Sequence, residues 1–293
     1  MQQNNRSKKA ISISVAAIAG NILLAAFKLF AGISGNSSGL IADAIHSLSD
    51  VFATLIVLGA LLLARKAPDR EHQYGHQRYE SLASLLLGLI LLAVGVKIGF
   101  DGVKAIISGS YKALPVPTVL TAVAAAVSIA VKELMYQVTI RVAKEEKSNA
   151  LKADAWHHRS DALSSVGSLA GVVFARFGLP VMDSVACIII CGFIIKVAAE
   201  ILIDAVRALT DSSADEALCR DICSVVASVE GVIRVDELKT RIFGSGCYAD
   251  IEIAVDGSRS LDEAHEIAEK VHDEVEKRFP EIWHCMVHVN PVK

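Results

Sequence analysis

None of the six cysteines forms a Cys-x-x-Cys pair, and no His-Glu-x-x-His occurs anywhere in the chain. The first absence leaves the thiols as reduced packing residues of a cytosolic setting: Cys187 and Cys191 fall in an apolar run, and Cys219, Cys223, Cys247 and Cys285 come after it. The second removes the helix-borne signature of a zinc hydrolase. Charge is also scarce over long stretches, and 53% of the residues are hydrophobic, with a mean hydropathy of +0.47. That is too apolar for an ordinary soluble domain. The net charge of −3 averages an apolar part with a polar one and gives no reason to expect a nucleic-acid partner.

The apolar residues come in blocks long enough to cross a bilayer. Six membrane-spanning helices are expected, near Ile11 to Ile33, Gly39 to Ala64, Ser81 to Ile107, Pro115 to Val138, Asn149 to Phe174 and Pro180 to Ala208. The basic start Arg6, Lys8 and Lys9 resembles that of a signal peptide. The run behind it is too long for an h-region and lacks a clear cleavage site, so it reads as a retained helix. Arg65, Lys66, Arg70 and Arg78, then Arg141, Lys144 and Lys147, occupy the second and fourth connections, whereas Ser34 to Ser38 carries no Lys or Arg. The positive-inside rule then puts both termini in the cytoplasm.

From Asp211 onward the pattern becomes charged and amphipathic. Residues 1–10 are expected to form a cytoplasmic N-terminus, 11–210 a transport domain and 211–293 a small cytoplasmic α+β domain. Its order is α-β-β-α-β: Ala214 to Val229, Ile233 to Ile242, Tyr248 to Val255, Leu261 to Arg278 and Ile282 to Val289. A domain this small has a modest core, which dimerisation would supplement.

Asp43-Ala-Ile-His-Ser-Leu-Ser-Asp50 returns as Asp154-Ala-Trp-His-His-Arg-Ser-Asp161. A His and an Asp four residues apart share one helical face, so two such helices present two imidazoles and two carboxylates to a single cation. An odd number of helices separates the copies, so the halves form an inverted repeat and the motifs meet near the midplane. Charged groups at that depth cost roughly 2.5–3.5 kcal/mol each on insertion scales, which makes a functional reading the default. His46, Asp50, His157 and Asp161 are therefore the expected metal ligands. Asp43 and Asp154 suit supporting or entry roles, because a ligating imidazole usually leans on an outer carboxylate. His158, one step around the helix, reads as a packing residue. Lys97, Asp101, Lys132, Glu133, Lys196, Glu200 and Asp204 also fall within the apolar runs, and the sequence assigns them no role.

The six-helix plan, the paired motifs and the tail resemble the cation diffusion facilitator family. So do Ser37-Ser-Gly-Leu-Ile-Ala-Asp-Ala-Ile-His-Ser-Leu-Ser-Asp50, the loop Asp69-Arg-Glu-His-Gln-Tyr-Gly-His-Gln-Arg-Tyr-Glu80 and His157-His-Arg-Ser-Asp161. The resemblance implies a homodimeric exporter of divalent metal, working in exchange for protons. With His and Asp on both helices, zinc is the implied ion, and cadmium or cobalt often accompany it. Manganese-type members tend to lack one or both of these histidines. Zinc suits two imidazole nitrogens and two carboxylate oxygens, whereas manganese and iron(II) favour more oxygens. An empty site would leave two carboxylates unpaired, so protonation of the ligands is expected to accompany metal release.

By the same resemblance, Asp69, His72 and His76 match a cytoplasmic-loop metal site. Arg78 and Asp211 match a charge interlock between that loop and the end of the last helix. Asp250, His265 and His288 match a regulatory site across the dimer of tails, where Asp236, Glu252 and Asn290 depart from the zinc-sensing pattern. A catalytic metalloenzyme is disfavoured because four ligands leave no open position for water. A non-transporting sensor or scaffold with the same fold, or an exporter of manganese, iron, cobalt or cadmium, is the alternative. The compact chain without targeting extensions suggests a prokaryotic plasma membrane.

Overall fold

The computed structural model describes residues 2–34, 38–109, 119–176 and 181–292. Contacts divide them into two units, Met1–Ala205 and Val206–Lys293. The first contains α1 (Gln2–Ser34), α2 (Ser38–Ala64), α3 (Arg78–Ser108), α4 (Val119–Glu146), α5 (Asn149–Arg176) and most of α6 (Val181–Leu209). By length and composition, Lys9–Ala31 and Arg78–Ser108 are apolar enough to cross a membrane. Two elements run longer than the hydropathy suggests. Helix α1 begins well before Ile11, and α4 continues past Val138 so that Arg141 and Lys144 lie on its last turns. Lys and Arg are good helix formers and the chain meets no Gly or Pro there, so the helix outlasts its apolar run.

The α4–α5 connection is only Lys147 and Ser148. Lys147 takes a left-handed conformation (φ 53°), and the Ser148 hydroxyl accepts from the Leu151 N–H, capping α5. Helix α4 packs along α5 and α1, and α2 lies against α1, α3 and α5. Glycines on α3 let α6 approach closely: a Cβ on Gly88 would lie 2.9 Å from Leu202 Cδ2, and one on Gly95 3.0 Å from Ile194 Cγ2.

Polarity in this unit runs opposite to that of a water-soluble protein. Leu23, Phe30, Phe52, Phe100, Ile107 and Ile189 point outward, while Asn21, Lys28, Ser47, Asp50, Thr54, Lys132, Asp154, His157 and His158 are buried. Such a surface is matched by lipid, and intramembrane polar groups turned inward are the usual sign of a functional interior.

The second unit contains α7 (Glu216–Ala227), β1 (Arg234–Phe243), β2 (Gly246–Asp256), α8 (Leu261–Arg278) and β3 (Ile282–Val292). The sheet order is β1-β2-β3, with β1 and β2 an antiparallel hairpin turned at Gly244 (φ 62°) and β3 parallel to β2 through the α8 crossover. Ala249, Ile251, Ile253 and Val255 alternate along β2 toward the helices. Ile222 and Val226 of α7 and Ile267, Val271 and Val275 of α8 cover them, at the helical spacing that makes one apolar stripe. Cys285 belongs to this core, and burial pushes its thiol up to about 12, so it stays a neutral packing group. Cys191, Cys219, Cys223, Cys247 and Cys285 are free thiols, and the side chain of Cys187 lies outside the described residues.

Candidate metal site

Two of the repeated motif's helices meet inside the bundle. Asp50 of α2 and His157 and Asp161 of α5 each offer one ligand atom, and these atoms lie within 4.8 Å of one another. Asp50 and His157 are buried and Asp161 nearly so. His157 Nε2 stands 3.5 Å from Asp50 Oδ1 and makes no hydrogen bond, which leaves a buried imidazole nitrogen aimed at the two carboxylates. The side chains of Asp43 and His46 lie outside the described residues. The α2 backbone carries His46 one turn before Asp50.

One member of the cluster was not foreseen. Lys132 of α4 reaches between the carboxylates, its Nζ donating to Asp50 Oδ2 at 2.6 Å and to Asp161 Oδ2 at 2.9 Å. Its side chain is 3% exposed. The expectation of two unpaired carboxylates is thus corrected, because an ammonium neutralises half of their charge. Buried ions of this kind require such pairing, since desolvation costs several kcal/mol per ion. A lysine inside an apolar run is visible in the sequence. Its partners are not, because they lie 82 and 29 residues away.

The surroundings of the cluster are polar and partly satisfied. Asp154 is fully buried outside the ligand group, its Oδ1 accepting from Thr54 Oγ1 at 3.0 Å and its Oδ2 without a hydrogen bond. His158 is also fully buried, with Nε2 3.7 Å from Asp154 Oδ2 and apart from the ligand atoms. Lys28 donates to Ser47 at 2.8 Å. Of the other charges in the apolar runs, Lys97 pairs with Asp101 one turn along α3, Asp204 of α6 with Lys152 of α5, and Glu133 of α4 with Gln137 and with Arg159 of α5.

A second cluster lies on the irregular loop between α2 and α3. Asp69 Oδ1 is 3.5 Å from His72 Nδ1 and Oδ2 is 3.4 Å from His76 Nε2, with the two rings 4.5 Å apart. All three ligand atoms fall within 4.8 Å. The loop takes this shape because Asp69 accepts from the backbone N–H groups of Glu71 and His72, while Gly75 turns the chain at φ 90°. His76 is buried and stacks on Tyr79. The Lys66 ammonium, 2.8 Å away, and the bond from the His72 backbone hold the Asp69 carboxyl well below the usual carboxylate range, so it is ionised and able to bind a cation.

The tail's expected ligands do not converge within one chain. Asp250, His265 and His288 are exposed and form no metal-ligand group among the described residues. His265 lies 3.9 Å from Glu269 on its own helix. The three positions that depart from the zinc-sensing pattern do meet: Asn290 Nδ2 donates to Asp236 at 3.0 Å and to Glu252 at 3.2 Å. The Asn290 amide thus donates to both carboxylates. Arg78 opens α3 in the first unit, and Asp211 follows α6 in the second with a left-handed backbone (φ 54°).

Residues 14–210 match the model of the cation efflux transmembrane domain, and residues 214–292 match that of the cation efflux protein cytoplasmic domain. The chain is a member of the cation diffusion facilitator family. An uncharacterized transporter of Methanocaldococcus jannaschii is 36% identical, over 95% of this chain and 97% of its own length. Manganese efflux system protein MneS of Bacillus subtilis is 32% identical, over 100% of this chain and 99% of its own. MneP of the same organism, also a manganese efflux system protein, is 28% identical over 98% of each. This cation diffusion facilitator is accordingly a membrane protein of divalent-metal efflux, a transporter rather than an enzyme, with a cytoplasmic domain of the kind through which the family dimerises.

Proposed function

We propose that this facilitator exports zinc from the cytoplasm in exchange for protons, through a site made by His46, Asp50, His157 and Asp161. The observation that carries the reading is the convergence of Asp50, His157 and Asp161 from α2 and α5, with His157 Nε2 buried and free of hydrogen bonds. With His46 added, the set is two nitrogens and two oxygens, a tetrahedral donor group that suits zinc. The protein works as a homodimer with all six long helices across a prokaryotic plasma membrane, the halves forming an inverted repeat and both termini cytoplasmic. Rocking of one helix group against the rest exposes the site to each side in turn. Ligands bind metal only when deprotonated, so protons taken up on release must leave again before the next ion enters.

The loop residues Asp69, His72 and His76 form an accessory metal site on the cytoplasmic side. Across the dimer, Asp250, His265 and His288 serve the tail as a weaker, regulatory site for zinc. Manganese is the second reading, because two relatives of nearly full length are named for manganese efflux. The donor set speaks against it, since manganese favours more oxygen ligands.

Metal uptake into proteoliposomes with an imposed pH gradient decides between them. Zinc flux that follows the gradient, exceeds manganese flux and is lost in Asp50→Ala with Asp161→Ala is the expected result. Manganese flux above zinc flux overturns the choice of ion. Absence of flux for zinc, manganese, iron(II), cobalt and cadmium, from folded protein that still binds metal, replaces transport by sensing.

A further inference from the structure

The Lys132 ammonium sits where a metal ion would have to go. It bridges one oxygen of Asp50 and one of Asp161 at 2.6 and 2.9 Å, within the cluster completed by His157. A zinc ion shared by the same carboxylates would stand about 2.0–2.2 Å from each oxygen. Ammonium and metal would thus share one small cluster of ligands, and two cations so close in a buried site repel strongly. Metal and ammonium therefore exclude one another.

The bundle offers the displaced ammonium a second partner. Asp154 is fully buried, its Oδ1 is taken by Thr54, and its Oδ2 has no hydrogen bond, the nearest ring nitrogen being His158 Nε2 at 3.7 Å. It stands two turns from Asp161 on the same face of α5, and Thr54, which donates to it, is one turn from Asp50 on α2. A lysine stem is flexible over four carbons and carries three donors, so it can exchange one carboxylate for another while its charge stays buried and paired.

We propose that Lys132 is a tethered cation that holds the transport site between ions: an entering metal displaces its ammonium from Asp50 and Asp161 toward Asp154, and its return expels the metal. This rests on the reading of Asp50 and Asp161 as transport ligands. No proton needs to leave Lys132 in the exchange, because the ammonium moves as a charged group. The bare site is spared two adjacent uncompensated carboxylates, and only an ion of higher charge competes well with a cation already in place. Affinity is thereby set low enough for release.

The test compares zinc binding, by equilibrium dialysis of full-length protein in nanodiscs, with flux in proteoliposomes. Lys132→Met removes the competitor and is expected to tighten zinc binding by about 10- to 100-fold, or about 1.4 to 2.8 kcal/mol, while lowering both KM and kcat. Lys132→Arg keeps the charge and is expected to retain affinity near that of the native protein. Asp154→Asn removes the landing carboxylate and is expected to weaken zinc binding while Asp50 and Asp161 remain. A merely structural lysine would give the opposite sign, with weaker binding in Lys132→Met. That result, or an unchanged Kd, overturns the proposal. Should Lys132→Met fail to fold, Lys132→Gln gives the same comparison with a polar side chain. Asp50→Ala and Asp161→Ala separate the two failures: if they leave the number of zinc ions bound per chain unchanged, the transport-site reading falls, and if they remove one bound zinc per chain while Lys132→Met tightens nothing, only the tethered cation falls.

Discussion

A buried carboxylate and a buried ammonium stabilise each other mainly by cancelling a penalty that each would suffer alone. Replacing one partner exposes that penalty in the other, at about 3–5 kcal/mol for a well-buried pair. Lys132→Met leaves Asp50 and Asp161 buried without their ammonium, so the solubilised protein should lose several degrees in thermal unfolding midpoint. Adding Asp50→Asn to Lys132→Met should restore part of the loss. A double variant no more stable than the single one would show that the ion pair is not what the native protein relies on. The same residues mark the limit of what the sequence discloses. Asp50, His157 and Asp161 are legible because a motif is repeated at helical spacing. Lys132 carries no such signal, since a lone lysine in an apolar run reads equally well as snorkelling, pairing or lining a cavity.

At the level of elements, legibility follows from how sharply each end is punctuated. Helix α8 was expected from Leu261 to Arg278 and is found there, because Ser260 and Glu263 form a reciprocal capping box at its start. The Ser260 hydroxyl accepts from the Glu263 N–H, and the Glu263 carboxylate accepts from the Ser260 N–H at 2.7 Å. Ser260→Ala should cost about 1 kcal/mol, seen as faster amide hydrogen exchange confined to the first turn of α8. Exchange that accelerates evenly along the helix would mean that packing on the sheet, not the cap, holds that end. Helix α4 shows the contrary case. Hydropathy reports the extent of an apolar run and not of a helix, so the charged last turns from Thr139 through Glu146 lie beyond the end that the apolar run predicts.

For the whole molecule, the division into an apolar bundle and a small α+β unit follows from a change of composition near Asp211, and contacts place the change of unit at Val206. What composition does not reveal is how the tail uses its polar face. The bridge from Asn290 to Asp236 and Glu252 holds that face together through the chain's own side chains. Light scattering of the purified full-length chain should therefore give twice the chain mass with or without chelator. Dissociation to monomers on chelation would show that bridging metal, not the tail's own surface, makes the dimer.

The two-residue turn at Lys147 and Ser148 has a mechanical corollary. It binds α4 and α5 into a single hairpin, so Lys132 and Asp161 ride on the same body while Asp50 belongs to α2. Any displacement that parts the hairpin from α2 leaves the first contact whole and must break the second. The bond between Lys132 and Asp50 is thus a latch between the hairpin and α2, and an ion held by Asp50 of α2 and Asp161 of the hairpin would exchange that latch for another across the same seam.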